Sequence, residues 1–196
     1  MMWSLPISVE IDGKEYAIRN RCDYRVVLDV ISALNDEELE MEHRAECALF
    51  IFYGNDELDT EYKVLKSFET KKNVQVALDE MVKIINLGKE IEREEYKPQL
   101  MDWEYDFTQI APPVSRVLGY SVRDIKNYTH YYDFIGAYME IGSECSFSNI
   151  VLIRDKRLKG KKLEKWEQEF YRENRKLIDL PRKLTAEEEE FLNSDW

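Results

Sequence analysis

Cysteine and histidine are scarce in this chain: three cysteines and two histidines in 196 residues. Cys22, Cys47 and Cys145 are odd in number and far apart, with no CxxC pair and no zinc-type spacing. That speaks against a disulfide framework or a finger-type zinc site and reads as reduced, mostly buried small side chains of a cytosolic protein. Long apolar runs are missing too. No stretch approaches the roughly 20 residues that a membrane helix needs, and the opening MMWSLPISVE lacks the basic start and apolar core of a secretory signal. The chain carries no internal repeat or long low-complexity segment. It has no P-loop, Gly-x-Gly-x-x-Gly, Gly-x-Ser-x-Gly, HExxH or EF-hand glycine. No catalytic constellation is assembled in the sequence, so the expectation is a soluble protein that is not an enzyme and holds no cofactor and no metal.

What is present is enough apolar content, 44%, to bury a core, on a chain of formal net charge -12. A net-negative surface disfavours nucleic acid and anionic membrane as partners, because both are bound through a cationic footprint. The exceptions are local: Arg154 to Lys162 is basic and Glu187 to Glu190 is acidic. Both read as solvated helix faces.

The hydrophobic period changes along the chain. In residues 6–19, Ile7, Val9 and Ile11 alternate up to an Asp12-Gly13 turn, and Tyr16 and Ile18 resume the alternation, which predicts a β-hairpin. Val26, Val27, Val30, Ile31 and Leu34 then fall at helical spacing after Asp23 as N-cap. A second helix is predicted over about Glu40 to Tyr53, stopped by Gly54. Asn55 to Lys72 reads as a loop with one helical turn. Asn73 is placed as the cap of a helix from Val74 to about Glu92 that either ends at Gly88 or continues past it with weakened stability, followed by a linker up to Asp102. Asp106 is placed as the cap of a helix from Phe107 to Leu118 containing Pro112-Pro113. Further helices are predicted over Tyr128 to Ile141, Phe147 to Leu158 and Lys161 to Leu177, with Pro181 as a stop. Thr185 to Glu188 forms a capping box for a last helix, Ala186 to Asn193. The architecture is therefore mainly α, a single helical domain over residues 1–180 with a small N-terminal β-hairpin at about 6–19, and a short helical tail at 181–196.

Three clusters invite chemistry. His43 and Cys47 are four apart and share a helix face, half of a metal or thiolate-imidazole site, but no further ligand accompanies them and packing is the expectation. Asp102, Glu104 and Asp106 alternate with Met101, Trp103 and Tyr105, as a hard-cation site on a strand would require; a helix cap beside solvated acids explains them better. The aromatic run at Tyr128, His130, Tyr131, Tyr132 and Phe134, together with Trp166 and Phe170 on an amphipathic stretch, reads as core or as interface, since Tyr and Trp combine large contact area with a polar tip. We place the provisional partner-binding surface there.

The order of these parts resembles the bacteriophage gene-product-fifteen family. Tyr105-Asp106-Phe107 stands where that family has a Tyr-Asp-Phe start, Gly119-Tyr120 lies in its link region, and the segment around His130 matches its aromatic helix. Leu152-Ile153-Arg154 stands where Gly-Tyr-Arg is expected. Upstream, Ala77 to Glu90 resembles the preceding helix, and Arg21-Cys22-Asp23-Tyr24-Arg25 is similar to the family's Asn-Thr-Asp-Phe-Arg opening. The resemblance implies a tail assembly chaperone of long-tailed phages, acting in the host cytoplasm. Its partners would be the tape measure protein and the major tail protein, and it would be absent from the mature virion. The competing reading is a phage-encoded regulatory or host-takeover protein that binds and inhibits a host protein.

Overall fold

The computed structural model describes residues 4–89 and 99–181. Among them the chain is mainly helical, nine helices preceded by one antiparallel hairpin. The predicted tail helix at 186–193 lies outside the described residues. The chain groups into two compact units, Met1–Lys97 with Ile110–Ile141, and Pro98–Gln109 with Gly142–Trp196. That division is finer than the one domain over 1–180 read from the sequence.

In the larger unit, β1 (Ser8–Ile11) and β2 (Lys14–Ala17) pair with Ile11 opposite Lys14. Asp12 and Gly13 are left as a two-residue turn with φ of 52° and 74°, the left-handed pair that a primed hairpin turn demands and that glycine supplies without strain. A two-stranded hairpin is marginal alone, and here Val9, Ile11 and Tyr16 are buried. The Tyr16 hydroxyl donates to the Ser67 carbonyl at 2.6 Å, and its ring packs 4.9 Å from that of Phe68.

Helix α1 (Tyr24–Leu34) begins as its pattern dictates, the Asp23 carboxylate accepting from the Arg25 N–H, and α2 (Met41–Tyr53) follows. Gly54 is the C-cap of α2, in extended conformation, and the position requires glycine for a steric reason: a Cβ there would lie 2.0 Å from Arg19 Nη2 and 2.5 Å from the Phe50 carbonyl. The Arg19 guanidinium donates to the Gly54 and Phe50 carbonyls at 2.8 and 3.0 Å.

Three predicted boundaries move. The segment read as a loop holds α3 (Glu61–Ser67), capped by Thr60 and anchored by buried Val64 and Phe68; the pattern was missed because two turns hold too few apolar positions to show a period. Thr70, not Asn73, caps α4 (Lys71–Ile85), its hydroxyl accepting from the Asn73 N–H at 3.1 Å. Of the two ends read for that helix, the one at Gly88 is close to the observed stop at Ile85, because Leu87 and Gly88 turn left-handed and the Gly88 N–H closes onto the Lys83 carbonyl. Residues 90–92 of that reading lie outside the described residues. Helix α5 (Trp103–Leu118) contains Pro112 and Pro113, which lack the N–H for two intrahelical bonds. Asp102 performs the capping expected of Asp106: its carboxylate accepts from the Tyr105 N–H at 2.8 Å.

Helix α6 (Tyr131–Met139) is shorter than the predicted Tyr128 to Ile141. In the smaller unit, α7 (Ser146–Leu158) matches its pattern closely, while the predicted single helix from Lys161 to Leu177 divides into α8 (Lys165–Glu173) and α9 (Arg175–Ile178). Ile150, Ile153 and Ile178 form the core of this unit, with Leu163, Phe170 and Tyr171 packed on it.

Candidate interaction surface

The aromatic segment of the larger unit enters α6 through an extended stretch. Asp23 and His130 form an isolated antiparallel bridge; the Tyr24 N–H donates to the Thr129 carbonyl at 3.0 Å and the Tyr131 N–H to the Cys22 carbonyl at 2.9 Å. His130 then caps α6, its Nδ1 accepting from the Tyr132 N–H at 3.0 Å while Nε2 lies 2.9 Å from the Pro6 carbonyl. Both ring nitrogens are engaged in holding chain. The Tyr131 hydroxyl donates to the Ile85 carbonyl at 3.1 Å, and Phe134 stacks on Tyr24 with centroids 4.2 Å apart.

These placements sort the provisional surface. His130 and Tyr131 are 1% and 4% exposed and Phe134 is fully buried. They are core because each is turned into the larger unit, His130 toward Pro6, Tyr131 toward Ile85 and Phe134 onto Tyr24, so in this fold they offer no surface to a partner. Tyr132 is half-buried against the His130 ring. Tyr128 is 49% exposed, although its hydroxyl donates to the Arg21 carbonyl. In the smaller unit Trp166 is 44% exposed, whereas Phe170 packs on the isoleucine core. The exposed part of the surface therefore reduces to Tyr128 in one unit and Trp166 in the other. The sequence reading passed over Met41, Tyr62, Ile125 and Met139, whose exposures of 84%, 70%, 86% and 69% exceed either.

Two polar ties went unread. Arg25 reaches the segment that precedes α6, donating to the carbonyls of Val122 at 2.6 Å, Asp124 at 3.1 Å and Asn127 at 3.3 Å, and the Tyr24 hydroxyl shares the Val122 carbonyl at 2.7 Å. In the smaller unit Arg154 is 5% exposed and forks onto the Asp106 carboxylate at 2.7 and 2.9 Å. Its other donors go to the carbonyls of Ile178, Leu100 and Leu177. The sequence signal for this pair was an arginine set beside Ile150 and Ile153 in an apolar stripe.

Charge in the basic run is largely answered from within the same unit. Lys156 meets the buried Glu167 at 2.5 Å, Arg157 bonds Asp179, and Lys159 meets Asp155 at 2.6 Å. Asp106 lies inside α5 rather than beside Glu104 on a strand, and among the described residues no group of three or more His, Cys, Asp or Glu is placed to hold a metal. His43 is exposed on α2, and the Cys47 thiol lies 3.5 Å from Glu61. Burial first, then the Asp23 carboxylate, pushes the Cys22 thiol up to about 12, and burial lifts the Tyr131 hydroxyl to about 12. Both stay protonated at neutral pH, in keeping with packing rather than proton transfer.

One strained feature borders this seam. Asn20, Arg21 and Cys22 all have positive φ, 50° to 62°, at a cost of about 1–2 kcal/mol for each L-residue. They are held by turn hydrogen bonds to Ile18, Arg19 and Asn20. The left-handed run aims the Cys22 carbonyl at Tyr131 and delivers Asp23 to its cap.

Compared with known families, residues 1–180 match the one described as Bacteriophage Gp15 protein. The chain belongs to that family. No curated protein and no solved structure matches it. The segments that carry the resemblance in this Gp15 family member coincide with the two ties: Asp23, Tyr24 and Arg25 grip the chain leading into the aromatic helix, and Asp106 of Tyr-Asp-Phe grips Arg154. Among the described residues no helix is long and apolar enough to cross a membrane.

Proposed function

We propose that this Gp15 family protein is a tail assembly chaperone of a long-tailed phage, binding the tape measure protein in the host cytoplasm, helping to recruit tail-tube subunits, and leaving before the virion is complete. The observation that carries the reading is the family match over residues 1–180. The physical character of the chain supports it. Large apolar side chains stand exposed on Met41, Tyr62, Tyr128 and Trp166, and such side chains cover the apolar faces of helical segments. Between Asp36 and Glu61 the sequence has ten carboxylates and one arginine, a charge that keeps a chaperone complex dispersed.

The test is co-expression with the tape measure and major tail proteins of the same phage. Co-purification with the tape measure is the expected result, and Tyr128→Ala or Trp166→Ala should weaken it at least tenfold with little change in melting temperature, the loss of one central contact of about 1.4 kcal/mol or more. Recovery of neither tail protein, with a host protein captured in their place, would replace the chaperone reading with the host-takeover one.

A further inference from the structure

The larger unit carries opposite charge at the two ends of α1. At the N-terminal end, Arg25 and the Tyr24 hydroxyl bind the carbonyls of Val122, Asp124 and Asn127 and so hold residues 122–128 beside residues 21–25. These two segments contain Arg21, Arg25, Arg123 and Lys126 against Asp23 and Asp124. Asp23 is buried and already engaged by the Arg25 side chain and by the first turn of α1, so the charge exposed at this end is mainly cationic. At the C-terminal end, residues 35–42 contain Asp36, Glu37, Glu38, Glu40 and Glu42 and no cation.

The 11 residues of α1, at 1.5 Å each, separate these ends by about 16 Å. Helix α2 agrees with that separation: its Phe50 and Gly54 carbonyls are held by Arg19, near the start of α1, which leaves its first residue, Met41, at the far end. Neither end can therefore answer the other within one copy. Each also presents apolar side chains. Ile125 is 86% and Tyr128 49% exposed at the cationic end, and Met41 is 84% exposed among the acids. Ile125 and Lys126 are the central residues of a turn in which the Asn127 N–H closes on the Asp124 carbonyl and the Lys126 N–H on the Asp124 carboxylate, both at 3.0 Å. On the acidic side the Glu38 N–H closes on the Asp36 carboxylate at 3.0 Å, and Arg44 holds the Leu39 carbonyl at 2.7 Å. Two surfaces ordered before contact lose little conformational freedom on meeting.

We propose that these two ends recognise each other between copies of the chain: the turn at Ile125 of one copy seats beside Met41 of the next, with Arg21 and Lys126 facing Glu38, Glu40 and Glu42. Charge complementarity selects a second copy as the occupant, because the cationic patch with an apolar tip finds its acidic, apolar counterpart on the same molecule. The contact joins two different patches, so each added copy leaves one end of either kind open and association continues head to tail. The proposal does not depend on the chaperone reading.

Sedimentation velocity of the full chain, from micromolar to millimolar concentration, tests it. At about 0.1 M salt, where the Debye length is about 10 Å, the unmodified chain should pass from monomer to dimer and beyond, and about 1 M salt, where that length is about 3 Å, should weaken association at least fivefold. One variant, Ile125→Glu with Lys126→Glu, loses the cationic end; another, Glu38→Lys with Met41→Lys, loses the acidic end. All four residues are exposed, so the melting temperatures should match that of the unmodified chain. Each variant alone should stay monomeric. Mixed in equal amounts they should form a dimer that grows no further, because only the acidic end of the first and the cationic end of the second remain. An unmodified chain that is monomeric throughout, including one whose Ile125→Glu variant loses capture of a tail protein instead, overturns the proposal, as do association untouched by either variant and a mixture that stays monomeric.

Discussion

Arg25 in the larger unit and Arg154 in the smaller one each grip a carboxylate and several backbone carbonyls, but they do so in different surroundings. Arg25 pairs with Asp23 two residues earlier, at 3.2 Å, with its side chain 32% exposed. Arg154 pairs with Asp106, 48 residues away, with side-chain exposures of 5% and 1%. A half-solvated local pair is worth little by itself, because water competes for both charges. For a buried pair the asymmetry is severe: formation roughly breaks even against desolvation, while removal of one partner leaves a charge with neither water nor counter-ion. The larger unit therefore rests on its apolar core, including the stacked Tyr24 and Phe134, with Arg25 as a clasp. The smaller unit has a core of three isoleucines with Leu163, Phe170 and Tyr171 packed on it, and the buried pair ties α5 to α7 while Arg154 also holds the last carbonyls of α9.

The largest effect should therefore come from Arg154→Ala, with a loss of about 3–5 kcal/mol as Asp106 is stranded. Hydrogen exchange resolved by segment should show residues 142–181 opening while 24–53 stay protected. Arg154→Lys should fail to restore protection, since an ammonium cannot fork onto the carboxylate and reach three carbonyls. Replacing both partners, Arg154→Met with Asp106→Leu, should recover much of the loss. Equal loss of protection in both units would show that the effect of the pair is not confined to the smaller unit.

Arg25→Ala should cost less, about 1.5–3 kcal/mol, the range for hydrogen bonds to a charged group, because the buried Val122 carbonyl keeps the Tyr24 hydroxyl as donor and the carbonyls of the exposed Asp124 and the half-buried Asn127 regain water. Protection should fall across 122–130 and leave 146–158 unchanged. A loss as large as that of Arg154→Ala would mean that the clasp, rather than the core, holds the larger unit.

The parts of the fold that are legible in the sequence are those with a long period or a strong local signal. The Asp12-Gly13 turn, Asp23 as a cap and the stripe of Val26, Val27 and Val30 all came through because local chemistry and burial agree there. Helix α3 was too short to show its period, and the true caps Thr70 and Asp102 were each passed over for a plausible neighbour three or four residues downstream. His130 was read as an interface residue because nothing local reveals that its ring will cap α6 and approach Pro6, 124 residues away. Arg154 and Asp106 were assigned to a solvated face and to a cap for the same reason: a partner 48 residues distant leaves no periodic trace. The exposed surface was the hardest to read, since Met41 and Ile125 are single apolar residues among polar ones and become conspicuous only once the rest of the chain has folded away.

The smallest effect sharpens the same contrast from the side of acid. Glu167 is 1% exposed, so burial pushes its carboxyl up, but hydrogen bonds from Lys156 and from the Glu164 N–H outweigh that and hold it below its ordinary value of 4.5. A carboxyl depressed in the folded state contributes stability that is present above its unfolded value and lost as pH falls through the folded one. Between about pH 5 and pH 3 the smaller unit should lose stability, and Glu167→Gln should flatten that part of the curve, since the amide has no proton to take up. Asp59 and Asp179 are also held below their usual range, by Lys63 and by Arg157 with Arg175, so the quantity to compare is the difference between the two proteins and not either slope alone. Urea midpoints of both proteins measured across that window provide it. Parallel curves would show that Lys156 and Glu167 form a tie no stronger than a solvated surface pair, and Arg154 with Asp106 would then be left as the one ion pair on which the smaller unit depends.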